Sequence, residues 1–243
     1  MTYCVGMKID RGLVFMSDTR TNAGIDSIST FRKMHIWENP GERVVVLMSA
    51  GNLATTQNVV SILNGRAKPL EERHPAVLNT HSMYQTARLI GETVKEVIRD
   101  SSPSGEKADS YFNASFILGG QIRGSVPRLF MIYPEGNFIE STDDTPFFQV
   151  GETKYGKPII VRAYDPAMSF AEAVKLLMVS FDSTLRSNLS VGLPLDLTLY
   201  EKDTLRVGMQ RRIGQDDPYY RKISDGWSVA LKDAFKALPD FES

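Results

Sequence analysis

The chain has 243 residues, 42% of them apolar, and 28 basic against 29 acidic side chains leave a formal net charge of −1. That balance gives no electrostatic case for nucleic acid or for an anionic membrane surface as a partner, and no apolar run approaches the roughly 20 residues of a membrane span. The N-terminus shows no basic n-region or long apolar h-region of a signal peptide, and the lone cysteine, Cys4, excludes an internal disulfide and fits a reducing compartment, so the expected location is cytoplasmic.

Residues Thr2 to Lys8 read as a strand, Ile9-Asp10-Arg11 with Gly12 as a tight turn, and Gly12 to Ser17 as the returning strand. A turn centred on Asp10 sets Thr2 opposite Asp18. Residues 21–30, rich in Asn, Gly, Ser, Asp and Thr, read as a loop. Lys33 to Trp37 and Arg43 to Ser49 read as strands around a turn at Glu38-Asn39-Pro40-Gly41, with Ala50-Gly51-Asn52 breaking the second. A helix is expected from Leu53 to Asn64, stopped by Gly65. Met83, Ala87, Ile90, Val94 and Val97 give residues 80–99 a helical period. A polar, flexible loop is expected over Ser101 to Ala108.

The second half repeats these kinds of element. Ala114 to Gln121, Arg128 to Tyr133 and Leu195 to Glu201 read as strands, with a turn at Pro134-Glu135-Gly136-Asn137. Phe170, Val174, Leu177, Phe181 and Leu185 define one face of a helix over 169–188. Asp216-Asp217-Pro218 caps a last helix, along which Ile223, Trp227, Leu231 and Phe235 recur every four residues and predict a buried side. No linker, short-period repeat or low-complexity tract interrupts the order, so residues 1–243 read as one domain with sheets inside and helices outside, an α/β sandwich of four layers.

The apolar pattern begins at once behind Thr2, where termini ordinarily fray. Removal of Met1 would leave Thr2 with a free α-amine and a hydroxyl on one residue, a nucleophile and base in a single unit. The amine has an ordinary pKa of about 7.7–8.0, so part of it is basic near neutrality. The histidines (His35, His74 and His81) show no metal-ligand spacing, the methionines read as core filler, and no metal or organic cofactor is implied.

Together, Thr2, S-D-T-R at Ser17 to Arg20, F-R-K at Phe31 to Lys33 and S-A-G at Ser49 to Gly51 resemble the signature of proteasome β subunits. PRLFMIYPEGNF at Pro127 to Phe138 resembles their strand–turn–strand ending in a Ser-Glu-Gly turn, and Ser187 to Ser190 falls where they carry Asp-x-x-Ser. More narrowly, MTYCVG with SDTRTNAG, TFRK and LRSNLSVGLP resembles the bacterial ancestral β-subunit family, Anbu. The resemblance spans essentially the whole chain.

It implies an αββα N-terminal nucleophile hydrolase fold and a threonine hydrolase acting on peptide or amide bonds, self-assembled into a large ring-like or helical homo-oligomer. By the same resemblance Thr2 is the nucleophile, and Lys33 lies near it and lowers the pKa of its amine and hydroxyl. Asp18 pairs with Lys33, the Gly51 N–H helps form an oxyanion hole, and Ser190 helps hold the terminal amine. Thr21 and Asn22 lie where substrate backbone adds as a strand, and Ser49 lies near the base of the specificity pocket.

Two positions depart from the pattern. Pro134 stands in the Ser-Glu-Gly turn for the serine, and Ser187 stands for the aspartate of Asp-x-x-Ser. The network around the amine is thus expected to lack a hydroxyl and a carboxylate. Two other readings follow: an assembly scaffold with a vestigial nucleophile, or an amidase for an unusual small substrate.

Overall fold

The computed structural model describes residues 2–22, 28–65, 76–101 and 112–241. Tyr3–Ile9 (β1) and Gly12–Asp18 (β2) pair antiparallel, Ile9 opposite Gly12. The turn is therefore the two residues Asp10-Arg11. The register is one residue off the expected one, so Cys4 faces Ser17 and Asp18 falls beside Tyr3 rather than Thr2. A turn of two residues instead of three accounts for the slip, because strand register follows loop length.

Phe147–Gly151 (β10), Leu195–Glu201 (β11) and Gln210–Ile213 (β12) complete a five-stranded antiparallel sheet ordered β10-β1-β2-β11-β12. The second sheet is β5-β6-β7-β8-β9, built from Met34–Asn39, Arg43–Gly51, Ala114–Ile122, Arg128–Ile132 and Phe138–Glu140. Residues expected as loop at 21–30 contribute the ends of a small ribbon, Arg20–Asn22 (β3) with Ile28–Thr30 (β4). Ala50 and Gly51, expected to break the strand, extend β6 and pair with Ser115 and Ala114.

Side-chain alternation sorts the core into three layers. Tyr3, Val5 and Met7 face outward to Lys157–Ala163 (α3) and Phe170–Ser187 (α4), with Leu177 and Phe181 among the buried partners. Cys4, Phe15, Met48 and Ile117 fill the space between the sheets. Leu47, Phe116 and Phe130 face Leu53–Leu63 (α1) and Met83–Ser101 (α2). Each fully buried aromatic or aliphatic side chain contributes about 1.5–3 kcal/mol, so the alternation locks both sheet faces. The four-layer αββα sandwich of N-terminal nucleophile hydrolases is the result. Ser169 and Glu172 form a capping box that starts α4.

The last helix, Pro218–Lys236 (α5), starts at the Asp217 cap. Its first turns sit on α4, the Tyr220 hydroxyl bonding Asp182 at 3.2 Å and Arg186 donating to the Ser224 hydroxyl at 2.8 Å. The expected buried side is only partly found. Ile223 and Trp227 are half-buried, but Leu231 is 54% and Phe235 75% exposed. The apolar period runs past the anchored turns to where none of the described residues covers it.

Candidate active site

Thr2 stands just ahead of β1 and is buried. Its carbonyl accepts the Glu152 N–H at 2.6 Å, and a Cβ on Gly151 would lie 1.9 Å from that same oxygen. Gly151, at φ +87°, thus lets the end of β10 close on the nucleophile's backbone.

Asp18 ends β2 with its side chain fully buried. Its Oδ1 accepts the Tyr3 N–H at 3.0 Å and the Lys33 ammonium at 2.7 Å, and its Oδ2 accepts the Gly192 N–H at 3.3 Å. Burial pushes the Asp18 carboxyl above its ordinary range, while the Lys33 ammonium and the N–H donors pull the other way. Lys33, in the short connection before β5, also donates to the Arg20 carbonyl at 2.6 Å. Ser49 binds the Lys33 carbonyl through its N–H at 2.9 Å. The ammonium is thus fixed from two sides.

Thr2, Lys33, Thr21, Ser49 and Gly51 all line one cleft of about 540 Å³. Asn22 lies beside Thr21 in β3. Gly51, at φ +117°, ends β6 at the cleft, exposed where Ala50 before it is buried. A donor there can meet the oxygen of a carbonyl attacked by Thr2.

Ser190 is held one step away. Its N–H donates to Asn188 Oδ1 at 2.9 Å, and Asn188 Nδ2 donates to Glu152 Oε2 at 2.8 Å. Arg20 pins this loop through the Leu189 carbonyl at 2.9 Å, and a Cβ on Gly192 would lie 2.1 Å from its Nε. Cys4 shares the inter-sheet layer, with Sγ 3.6 Å from the Ser49 carbonyl; burial pushes its thiol far up, so it stays protonated.

The turn expected to organise the terminal threonine lies elsewhere. Pro134 belongs to the β8–β9 turn, where Gly136 packs against Gly91 of α2 on the outside of the other sheet. The turn bonded to Thr2 is Gly151-Glu152. Ser187 donates its hydroxyl back to the Ser183 carbonyl at 2.8 Å. The buried carboxylate near Thr2 that the sequence reading missed is Glu152. Its one local signal is the glycine before it; the pairing of β10 with β1 that delivers it is long-range. Among the described residues no group of His, Cys, Asp and Glu could hold a metal ion, and no helix is long and apolar enough to cross a membrane. His74 lies outside the described residues.

The sequence profile of proteasome subunits matches residues 2–192. The chain is similar over its whole length to Anbu (ancestral β-subunit) from Yersinia bercovieri, at 50% identity with all of both chains covered and a TM-score of 0.90. The chain belongs to the Anbu family of proteasome-related proteins. An Anbu (Gly-1) mutant from Hyphomicrobium sp. strain MC1 is 52% identical, again with all of both chains covered, at a TM-score of 0.91. The helical assembly of the Anbu complex from Pseudomonas aeruginosa is 45% identical, covering 100% of this chain and 99% of that one at a TM-score of 0.89. Among curated proteins, the proteasome subunit beta of Methanopyrus kandleri is 24% identical over 195 residues, 79% of this chain and 82% of that protein.

Proposed function

We propose that this Anbu-family chain is an N-terminal threonine hydrolase that cleaves peptide or related amide bonds, acting as a large ring-like or helical homo-oligomer. The observation that carries the reading is the Lys33–Asp18 pair at 2.7 Å, Lys33 lining the same cleft as Thr2 and Gly51. With Met1 removed, the Thr2 amine takes the hydroxyl proton as Oγ bonds to the substrate carbonyl carbon. The developing oxyanion is met by the Gly51 N–H. The C–N bond then breaks, the amine leaves with that proton, and water hydrolyses the ester on Thr2. Lys33 keeps positive charge beside the nucleophile, Asp18 holds Lys33, and Ser190 steadies the terminal amine from the loop that Asn188 and Glu152 fix. Substrate backbone lies along β3 at Thr21 and Asn22.

Assembly is supported by the apolar stripe of α5 left uncovered at Leu231 and Phe235, and by the helical assembly of the Pseudomonas aeruginosa relative. One feature favours a scaffold whose nucleophile is vestigial: Ser187, which offers no carboxylate and spends its hydroxyl on α4.

The experiment is intact mass of the chain lacking Met1, before and after a peptide epoxyketone, which needs both the hydroxyl and the amine. One adduct on Thr2, absent in Thr2→Ala, is expected. Loss of Met1 with no adduct on the assembled protein would decide for the scaffold.

A further inference from the structure

The cleft in front of Thr2 has a charge that the reaction itself does not require. It lies between the start of β5, the end of β6 and the first turns of α1, with Leu53, Thr56 and Gln57 on the helical side. Its ionisable lining residues are Arg32, Lys33 and His35, and no Asp or Glu lines it among the described residues. Lys33 is already balanced by Asp18 at 2.7 Å. Arg32 is exposed and has no carboxylate partner among the described residues.

The end of α1 facing the cleft adds to this. The first turn of the helix carries no acidic side chain, and its positive end is met by the neutral Asn52 cap, whose Oδ1 accepts the Thr55 N–H at 3.1 Å. Arg32 and His35 also line an adjoining cleft of about 650 Å³. The acids there are engaged: Asp196 binds Arg212 at 2.7 and 2.9 Å, and Glu38 accepts the Val207 N–H at 2.8 Å. Glu38 keeps its charge there but lines only the adjoining cleft, so among the described residues the wall in front of Thr2 carries basic groups alone.

We infer that the site selects substrates with an acidic side chain on the residue whose carbonyl Thr2 attacks, Arg32 being the specificity-determining residue. This rests on the proposed hydrolase reading and names its substrate class. Thr56 and Ser49, both buried, place small polar side chains in the pocket wall beside Ala50 and Leu53. A carboxylate entering it meets the Arg32 guanidinium and, among the described residues, no like charge. A lysine side chain would meet like charge, and a leucine would leave Arg32 unpaired.

The test labels the assembled chain lacking Met1 with three epoxyketones that differ only in a glutamate-, leucine- or lysine-like side chain next to the warhead. The glutamate-like probe is expected to modify Thr2 about tenfold faster than the leucine-like one, the size of one charge-assisted hydrogen bond. Added salt should shrink that ratio. R32A should remove most of the preference, and R32E should shift it to the lysine-like probe. Labelling at equal rates, or a preference that R32A leaves intact, overturns the substrate class while leaving the hydrolase reading standing. No adduct with any probe overturns both.

Discussion

The Lys33 ammonium lies 2.7 Å from the Asp18 carboxylate, and both side chains are almost wholly buried. A buried pair of this kind is costly to break by removing one partner, because the other charge is left uncompensated. D18A is therefore expected to destabilise the fold by about 3–5 kcal/mol, read as a fall in the denaturation midpoint. K33A should lower the rate of Thr2 acylation by about 10²–10³, the size of losing one electrostatic stabiliser. An acylation rate in K33A equal to that of the unchanged chain would remove Lys33 from the mechanism.

The pH dependence of the pair has two signs. Burial raises the Asp18 carboxyl above its ordinary value of 3.8. Its contribution to stability is thus complete below the unfolded value and lost as pH rises through the higher folded one. Acylation runs the other way, since Lys33 gains its counter-charge only as Asp18 ionises. Over the window opening upward from 3.8, the chain should lose unfolding free energy relative to D18N while its acylation rate climbs. Denaturant titrations and probe kinetics across that range read both. Parallel stability profiles for the two proteins would show that Asp18 titrates as it does when unfolded.

Local signals carried much of the fold. The capping box at Ser169 and Glu172 and the five-residue apolar face of α4 fix that helix, and β11 runs from Leu195 to Glu201 as its apolar pattern predicts. The family signature points to Thr2, Lys33, Thr21, Ser49 and Gly51, and these residues share one cleft. What differs turns on one turn residue or on distant chain. The Thr2–Asp18 register turned on a single turn residue. Glu152 reaches Thr2 only through the pairing of β10 with β1, about which its neighbours say nothing. Pro134 was matched by local likeness to a turn that the fold places against α2. The stripe on α5 was a correct period, but a period does not say which molecule covers it.

Gly51 should tolerate no side chain. At φ +117° a Cβ would sit 2.2 Å from the Asn113 carbonyl oxygen, which also accepts the Asn52 N–H at 2.9 Å. G51A must either strain the backbone or move the end of β6 off the cleft. The strain is worth roughly 1–3 kcal/mol, and acylation should fall with it. Thermal unfolding and probe labelling check the two effects together; a variant with unchanged melting and labelling would contradict this geometry.

Glu152 offers a test of how the loop of Ser190 is held. Its Oε2 accepts from the Asn188 side-chain Nδ2 at 2.8 Å and its Oε1 from the Lys154 backbone N–H at 3.2 Å. E152A frees Asn188, and with it the N–H bond that orders Ser190. Slight misplacement near a nucleophile is expensive in rate, so acylation should slow by about tenfold to a hundredfold with little change in probe affinity. N188A should do the same, and the two together should do no more than either alone, since they break one chain of bonds. Additive losses would mean that the residues act separately.

The uncovered stripe of α5 predicts where subunits meet. Leu231 and Phe235 are exposed on the isolated chain, and Trp227 and Leu231 border an apolar groove of about 800 Å³ between α3, α4 and α5. An exposed patch of this kind is the signature of a contact surface. A charge placed in it loses most of its hydration on assembly, so L231D and F235D should shift the protein toward smaller species in light scattering. The fold should survive, because both side chains lie outside the monomer core. If the double variant assembles at the same concentration as the parent, α5 is not the contact, and its apolar face must serve something other than a second copy.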